Sequence, residues 1–152
     1  MVNIAQIKTA RPPDVLCALG LGSCVGVVLY DPVNHVSGML HVLLPVSSEG
    51  EQSTKYADPG LRQLREEVIR AGALGSRLRA KLAGGAEVLM PAGGTVIPVG
   101  RQNGAECLRM LAELRIPIDG KDLGGTSGRS VYFETETCVM RIKKLLGGEC
   151  QL

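Results

Sequence analysis

Residues 20–45 read "GLGSCVGVVLYDPVNHVSGMLHVLLP". Two runs in this stretch, "VGVVLY" (25–30) and "MLHVLLP" (39–45), are rich in Val and Leu, and they flank "DPVNHVSG" (31–38), whose Pro, Asn and Gly form turns. Short apolar runs bounded by such residues read as strands. "VLCAL" (15–19), which stops at Gly20, reads as a third. Connectors this short make the three runs antiparallel neighbours. In an alternating strand Met39, His41 and Leu43 share one face, and Leu40, Val42 and Leu44 share the other. Both faces are then apolar and buried, and His41 needs hydrogen bonds to sit there.

The rest of the chain alternates helix and strand patterns. Residues 46–60 are polar and read as a long loop with room for a functional role. "LRQLREEVIRAGA" (61–73) places Leu61, Leu64, Val68 and Ile69 on one stripe of a helix that stops at Gly72. "LRAKLAGGAEVL" (78–89) begins as a strand and breaks at Gly84-Gly85, ahead of a Gly/Pro-rich patch at 91–100. "GAECLRMLAELR" (104–115) reads as a second helix with Leu108, Leu111 and Leu114 inward. A short strand "IPID" (116–119) and a glycine loop "KDLGGTSGRS" (121–130) follow. "VYFE" and "CVMRIKK" then form a hairpin across "TET" (135–137). The expected fold class is α/β: one domain over 1–152, a mixed-sheet sandwich with about two principal helices.

Composition excludes several functions. Aromatic residues are 3% of the chain and Trp is absent, which leaves no stacking platform for nucleic acid. The 17 basic residues are scattered against 15 acidic ones, without the dense stripe of a nucleic-acid footprint. The N-terminus lacks a signal peptide's pattern and no window approaches the roughly 18 apolar residues of a membrane helix, so the expectation is a cytoplasmic protein with no direct membrane insertion. Five cysteines without a C-x-x-C pair read as free thiols, not a zinc site. Gly20, Gly22 and Gly26 miss the dinucleotide spacing, and a strand follows them where a helix N-terminus would be needed. "LGGTSGR" and "LAGG" lack the Lys-Ser/Thr of a phosphate loop. No cofactor and no metal are expected.

The cysteine on the glycine turn has two readings. Gly20 and Gly22 let the backbone take positive φ and approach a substrate closely. Such a turn exposes successive N–H groups, at Gly22, Ser23 and Cys24, that can hold an oxyanion. Cys24 would present its sulfur at the end of the sheet. Against this, free cysteine is often a buried space-filler, as the apolar settings of Cys17, Cys107 and Cys138 suggest. His41 lies across one turn from Cys24 and can return beside it. A contact would lower the thiol pKa and make a nucleophile. Residue types alone leave both readings open: a reaction centre, or two buried residues.

"LGLGSCVGVVLYDP" followed by "GMLHVLLP" resembles the signature of the CheD family, the chemoreceptor glutamine deamidases of bacterial and archaeal chemotaxis. "KYAD" (55–58), "AKLAGGA" (80–86), "VGRQN" (99–103), "DLGGTSGRSVYF" (122–133) and "VMRIKKL" (139–145) extend the resemblance along nearly the whole chain. It implies a compact α/β sandwich related to toxin deamidases. It also implies hydrolysis of glutamine side chains on chemoreceptor cytoplasmic helices to glutamate and ammonia, and in many members a CheC-like phosphatase as partner. The family's nucleophile falls on Cys24 and its histidine on His41. The family's threonine, six residues before the nucleophile, is here Ala18. The backbone carbonyl of residue 18, or another group, would then orient the imidazole. The alternative is an adaptor that binds receptors or the phosphatase without turnover.

Overall fold

The computed structural model describes residues 1–88 and 97–152. The end of the 78–89 segment and most of the Gly/Pro-rich patch at 91–100 lie outside the described residues. The elements run β1 (Ile7–Ala10), β2 (Val15–Leu21), β3 (Val25–Asp31), β4 (Val36–Val42), α1 (Ala57–Arg70), a single 3₁₀ turn (Gly75–Arg77), β5 (Arg79–Gly84), α2 (Val99–Glu113), β6 (Ile118–Leu123), β7 (Arg129–Glu134), β8 (Met140–Lys144) and β9 (Glu149–Gln151).

β3 is central because it can be covered on both sides. All seven of its residues are buried. It pairs antiparallel with β4 and β5, in a five-stranded sheet of order β1-β4-β3-β5-β6. β5 and β6 run parallel, with α2 as their crossover. Val25, Val27 and Leu29 point to one face and pack with Leu61, Leu64 and Val68 of α1 and Cys107, Met110 and Leu111 of α2. Val28 and Tyr30 point to the other face and meet Leu16, Val131, Phe133 and Ile142 of the second sheet, of order β2-β7-β8-β9. The molecule is thus three layers: helices, central sheet, outer sheet.

One expectation fails here. β2 does not neighbour β3 in its sheet; it pairs with β7, across more than a hundred residues of sequence. The short connector at 22–24 carries the chain from one sheet to the other, and β3 takes β5 as its second neighbour. The turn bearing Cys24 is therefore a crossover between layers, and short connectors alone could not reveal that.

Other boundaries shift for local reasons. The turn after β3 tightens because the Asp31 carboxylate accepts from the N–H groups of Val33 (2.9 Å), Asn34 (3.1 Å) and Leu74 (2.8 Å). Burial alone would raise that carboxyl. These donors and Arg77 outweigh it and hold Asp31 far below the usual carboxylate range. His35, exposed in that turn, adopts φ 50°. α1 begins at Ala57, inside the expected loop, since Pro59 is tolerated in a first turn, where its missing N–H has no partner to lose. α2 begins at Val99 instead of Gly104 and so takes in "VGRQN". β6 runs on to Leu123, shortening the glycine loop, while the 131–144 hairpin forms as expected. β1 and β9 carry no apolar run long enough to read. Among the described residues, no helix is long and apolar enough to cross a membrane.

Candidate active site

Register brings Cys24 and His41 to one place. Gly26 lies directly opposite His41 in the β3–β4 ladder, and Val25 opposite Val42. Opposed residues share a face and side chains alternate, so Cys24, two before Gly26, lies diagonal to His41 on the face toward the outer sheet. Cys24 packs there with Leu21, Val28, Met39 and Val131. Both residues are nearly enclosed, at 9% and 5% exposure. Between them Gly26 offers no side chain, and Leu21 and Val131 close over it; a methyl group there would sit 3.3 Å and 3.4 Å from them.

His41 is oriented by the N-terminus. Its Nδ1 lies 3.2 Å from the carbonyl oxygen of Val2. Val2 is itself pinned: its N–H donates to the Cys17 carbonyl at 2.7 Å. The following segment is zipped to β4, with the Ala5 N–H donating to the His41 carbonyl (2.9 Å) and the His41 N–H to the Gln6 carbonyl (3.2 Å). A carbonyl can only accept, so the neutral ring carries its proton on Nδ1 and presents a lone pair at Nε2. The acceptor is thus Val2, not the backbone of residue 18. Ala18 is fully buried in the β2–β7 ladder opposite Val131.

The electrostatics favour neutral partners at rest. Burial pushes the Cys24 thiol above its ordinary value, against the smaller opposing effect of its own backbone N–H. Burial pushes the His41 imidazole below its ordinary value, partly offset by the Val2 carbonyl. Among the described residues, no hydrogen bond joins the two side chains. The lowered thiol pKa expected from a Cys–His contact is therefore absent in the resting molecule: desolvation outweighs a contact that is not made.

The turn is held from beneath. The carbonyls of Gly22 and Cys24 accept from the N–H groups of Ala86 and Gly85, each at 2.8 Å. The Ser23 carbonyl accepts from Asn103 Nδ2 at 2.8 Å. Three successive carbonyls therefore face the β5 end and α2. Among the described residues, the N–H groups of Ser23 and Cys24 donate to no oxygen atom. Gly20 takes φ 66°, whereas Gly22 does not need a left-handed backbone, contrary to expectation. Gly84 is the glycine that matters most below the turn. With φ 128°, a Cβ there would lie 2.2 Å from the Cys24 carbonyl oxygen.

Asn103 and Val2 were not singled out from the sequence, and Gly84 was singled out only as a strand break. "LAGG" and "VGRQN" marked Gly84 and Asn103 as parts of motifs, without a role; Val2 acts through its backbone and leaves no side-chain signal. The glycine loop after β6 also gains a purpose. Arg129, buried beneath it, donates to the Asp122 carbonyl (2.6 Å) and to that of Gly124. The loop then meets the β5 end, where Glu87 N–H donates to the Gly125 carbonyl at 2.8 Å. Beside the turn a groove opens on the outer sheet, lined by Gly20 of β2, Ser130 and Tyr132 of β7 and Lys143 of β8, with Gly22 and Leu145 at its margin. Among the described residues, no cluster of three or more His, Cys, Asp and Glu could hold a metal ion.

The family profile described as CheD chemotactic sensory transduction matches residues 43–144. A protein of Desulfitobacterium hafniense (strain DSM 10664 / DCB-2) named "Probable chemoreceptor glutamine deamidase CheD" is 38% identical, over 97% of this chain and 94% of its own. One of the same name from Geobacillus kaustophilus is 40% identical, over 93% and 90%. The "Chemoreceptor glutamine deamidase CheD" of Bacillus velezensis is 37% identical, over 97% and 92%.

Proposed function

This chain belongs to the CheD family, and from that premise we propose that it is a chemoreceptor glutamine deamidase whose nucleophile is Cys24 and whose base is His41. The whole chain, 1–152, acts as one deamidase domain in chemotaxis. The names of its relatives support the reaction. The observation that supports the residue assignment is the register: with Gly26 opposite His41, Cys24 lies diagonal to the imidazole on one buried face.

The resting pair is a neutral thiol and a neutral imidazole. When a glutamine side chain enters, His41 Nε2 takes the Sγ proton as sulfur attacks the amide carbon. The Val2 carbonyl accepts from Nδ1–H and stabilises the imidazolium that forms. The amide oxygen becomes an oxyanion held by the N–H of Cys24, with that of Ser23 beside it. The tetrahedral adduct collapses, the C–N bond breaks, and Nε2–H returns the proton to nitrogen, which leaves as ammonia. Water then attacks the thioester, with His41 as base, releasing glutamate and restoring the thiol. Glutamine and water are consumed; glutamate and ammonia are formed.

Incubation with chemoreceptor cytoplasmic fragments, read by mass spectrometry, tests this. The expected result is a gain of about one dalton at particular glutamines, lost in Cys24→Ala and in His41→Ala. A gain that persists in Cys24→Ala overturns the mechanism.

A further inference from the structure

The β3–β4 ladder ends at the pair Val25–Val42. One step further, where residues 24 and 43 would be opposed, no rung joins the two chains directly. A side chain from another layer fills the gap. Asn103, fully buried in the first turns of α2, donates through Nδ2 to the Ser23 carbonyl at 2.8 Å and to the Leu43 carbonyl at 2.9 Å. One amide therefore bridges the residue before Cys24 and the residue two after His41. Its Oδ1 meets no donor among the described residues. A buried acceptor without a partner is unfavourable, and an apolar side chain of similar size would avoid that, so what Asn103 contributes is its pair of donors.

The consequence lies in the peptide plane. The Ser23 carbonyl and the Cys24 N–H belong to one rigid peptide unit and point in opposite directions. Holding the carbonyl inward on Asn103 aims the N–H outward. Gly85 fixes the next peptide in the same sense, through the Cys24 carbonyl. We propose that Asn103 is a positioning residue for the reaction: it sets the direction of the oxyanion-binding Cys24 N–H and ties the cysteine turn to the end of the histidine strand. The inference rests on the deamidase reading above. Asn103 touches no reacting atom; it acts through the peptide it holds.

Asn103→Leu removes both donors at similar volume, and Asn103→Asp keeps the shape while replacing the donating nitrogen with a second oxygen. Both are compared with wild type on the same receptor fragment, for kcat, KM and the rate at which iodoacetamide alkylates Cys24. Alkylation is a displacement at carbon with no oxyanion, so it reads the thiol alone. The expected result is a kcat lower by about 10- to 100-fold in both variants. KM and the alkylation rate stay within about twofold of wild type, because sulfur and base are intact. Relative to wild type at the same pH, the aspartate variant regains kcat as pH falls, since a protonated carboxyl returns one donor. A folded variant with wild-type kcat overturns the proposal. So does a fall in alkylation that parallels the fall in kcat, which would mean general loosening of the site. If the leucine variant does not fold, the aspartate variant decides; if neither folds, Asn103 belongs to the scaffold and the proposal fails. A wild type that converts no glutamine overturns the deamidase reading, and the clamp's role with it; an active wild type beside equally active variants overturns the clamp alone.

Discussion

The two faces of the central sheet are built from the same strands and differ in what they carry. Toward the helices, Val25, Val27, Leu29, Leu40 and Val42 meet Leu61, Leu64, Val68, Met110 and Leu111 in a close-packed apolar core. Toward the outer sheet, the neighbouring positions of the same strands hold Cys24, His41, Tyr30 and Lys81. Three of these have a defined hydrogen-bond partner: His41 the Val2 carbonyl, Tyr30 the Asp119 carboxylate, Lys81 the Leu152 carbonyl at 2.9 Å. Two buried thiols mark the contrast. Cys107 faces the helix core, where burial drives its pKa far up. Cys24 is also raised, but it sits on the crossover turn, diagonal to His41. On the proposed reading one face stores stability and the other organises chemistry, and substitutions should divide along that line.

The largest separation is expected between the thiols themselves. Cys24→Ala should lower deamidation by at least about 10³-fold, because no other group can form the thioester, and leave the melting temperature nearly unchanged. Cys107→Ala should do the reverse, losing roughly 1 kcal/mol of stability while kcat per folded molecule stays at wild type. Activity and thermal melts on both variants check this; matched losses of activity would erase the distinction. Leu64→Ala extends the test on the helix face. It should lose about 2–5 kcal/mol through its cavity and leave kcat per folded molecule unchanged, as urea unfolding and kinetics on the same preparation would report.

What could be read from the sequence follows the same division. Helix stripes, the β3–β4 pair and the terminal hairpin were legible because apolar periodicity and turn chemistry are local. Cys24 and His41 were legible as a pair because one tight turn connects their strands. The move of β2 into the second sheet was not, since its partner β7 lies beyond two helices and the choice rests on long-range packing. Nor was the orientation of His41 by Val2, which is a backbone contact 39 residues away in sequence. Asn103 fell outside the expected helix because the helix pattern becomes apolar only after Gly104. The polar residues of "VGRQN" are helical because the first turns of α2 pack against the bend after β5, where the Gly85 and Ala86 carbonyls come close to Gly100.

That bend supplies the next prediction. Gly84→Ala would put a methyl group 2.2 Å from the Cys24 carbonyl oxygen, at φ 128°. Something must move, and the near neighbours are the backbone of Cys24 and Val25. The expected cost is about 1–3 kcal/mol, with kcat falling about tenfold as the Cys24 peptide rotates. Kinetics at a temperature where the variant is fully folded separates the two effects. Unchanged kcat there would show that the turn tolerates displacement and that its exact placement matters less than the thiol.

The smallest effect is the pH dependence, and its sign follows from burial. In the proposed mechanism His41 must be neutral to accept the thiol proton, and its folded pKa lies below the ordinary 6.5. The acid limb of kcat/KM should therefore have its midpoint below that value. Stability should move with it. As pH falls through the unfolded value, the unfolded chain binds a proton that the folded protein still refuses, so stability drops in that window and is fully present above it. Cys24 works the other way at high pH: its folded thiol keeps its proton above the ordinary 9.0, so stability declines as pH rises through that value. The helix-face control is Leu64→Ala, which should lower the stability curve without moving either limb. His41→Gln should remove the acid-side slope of stability while abolishing turnover. A slope that survives His41→Gln would assign the acid sensitivity to another group, and a midpoint at or above 6.5 would mean that the imidazolium is held in the resting site after all, with the Val2 carbonyl outweighing burial.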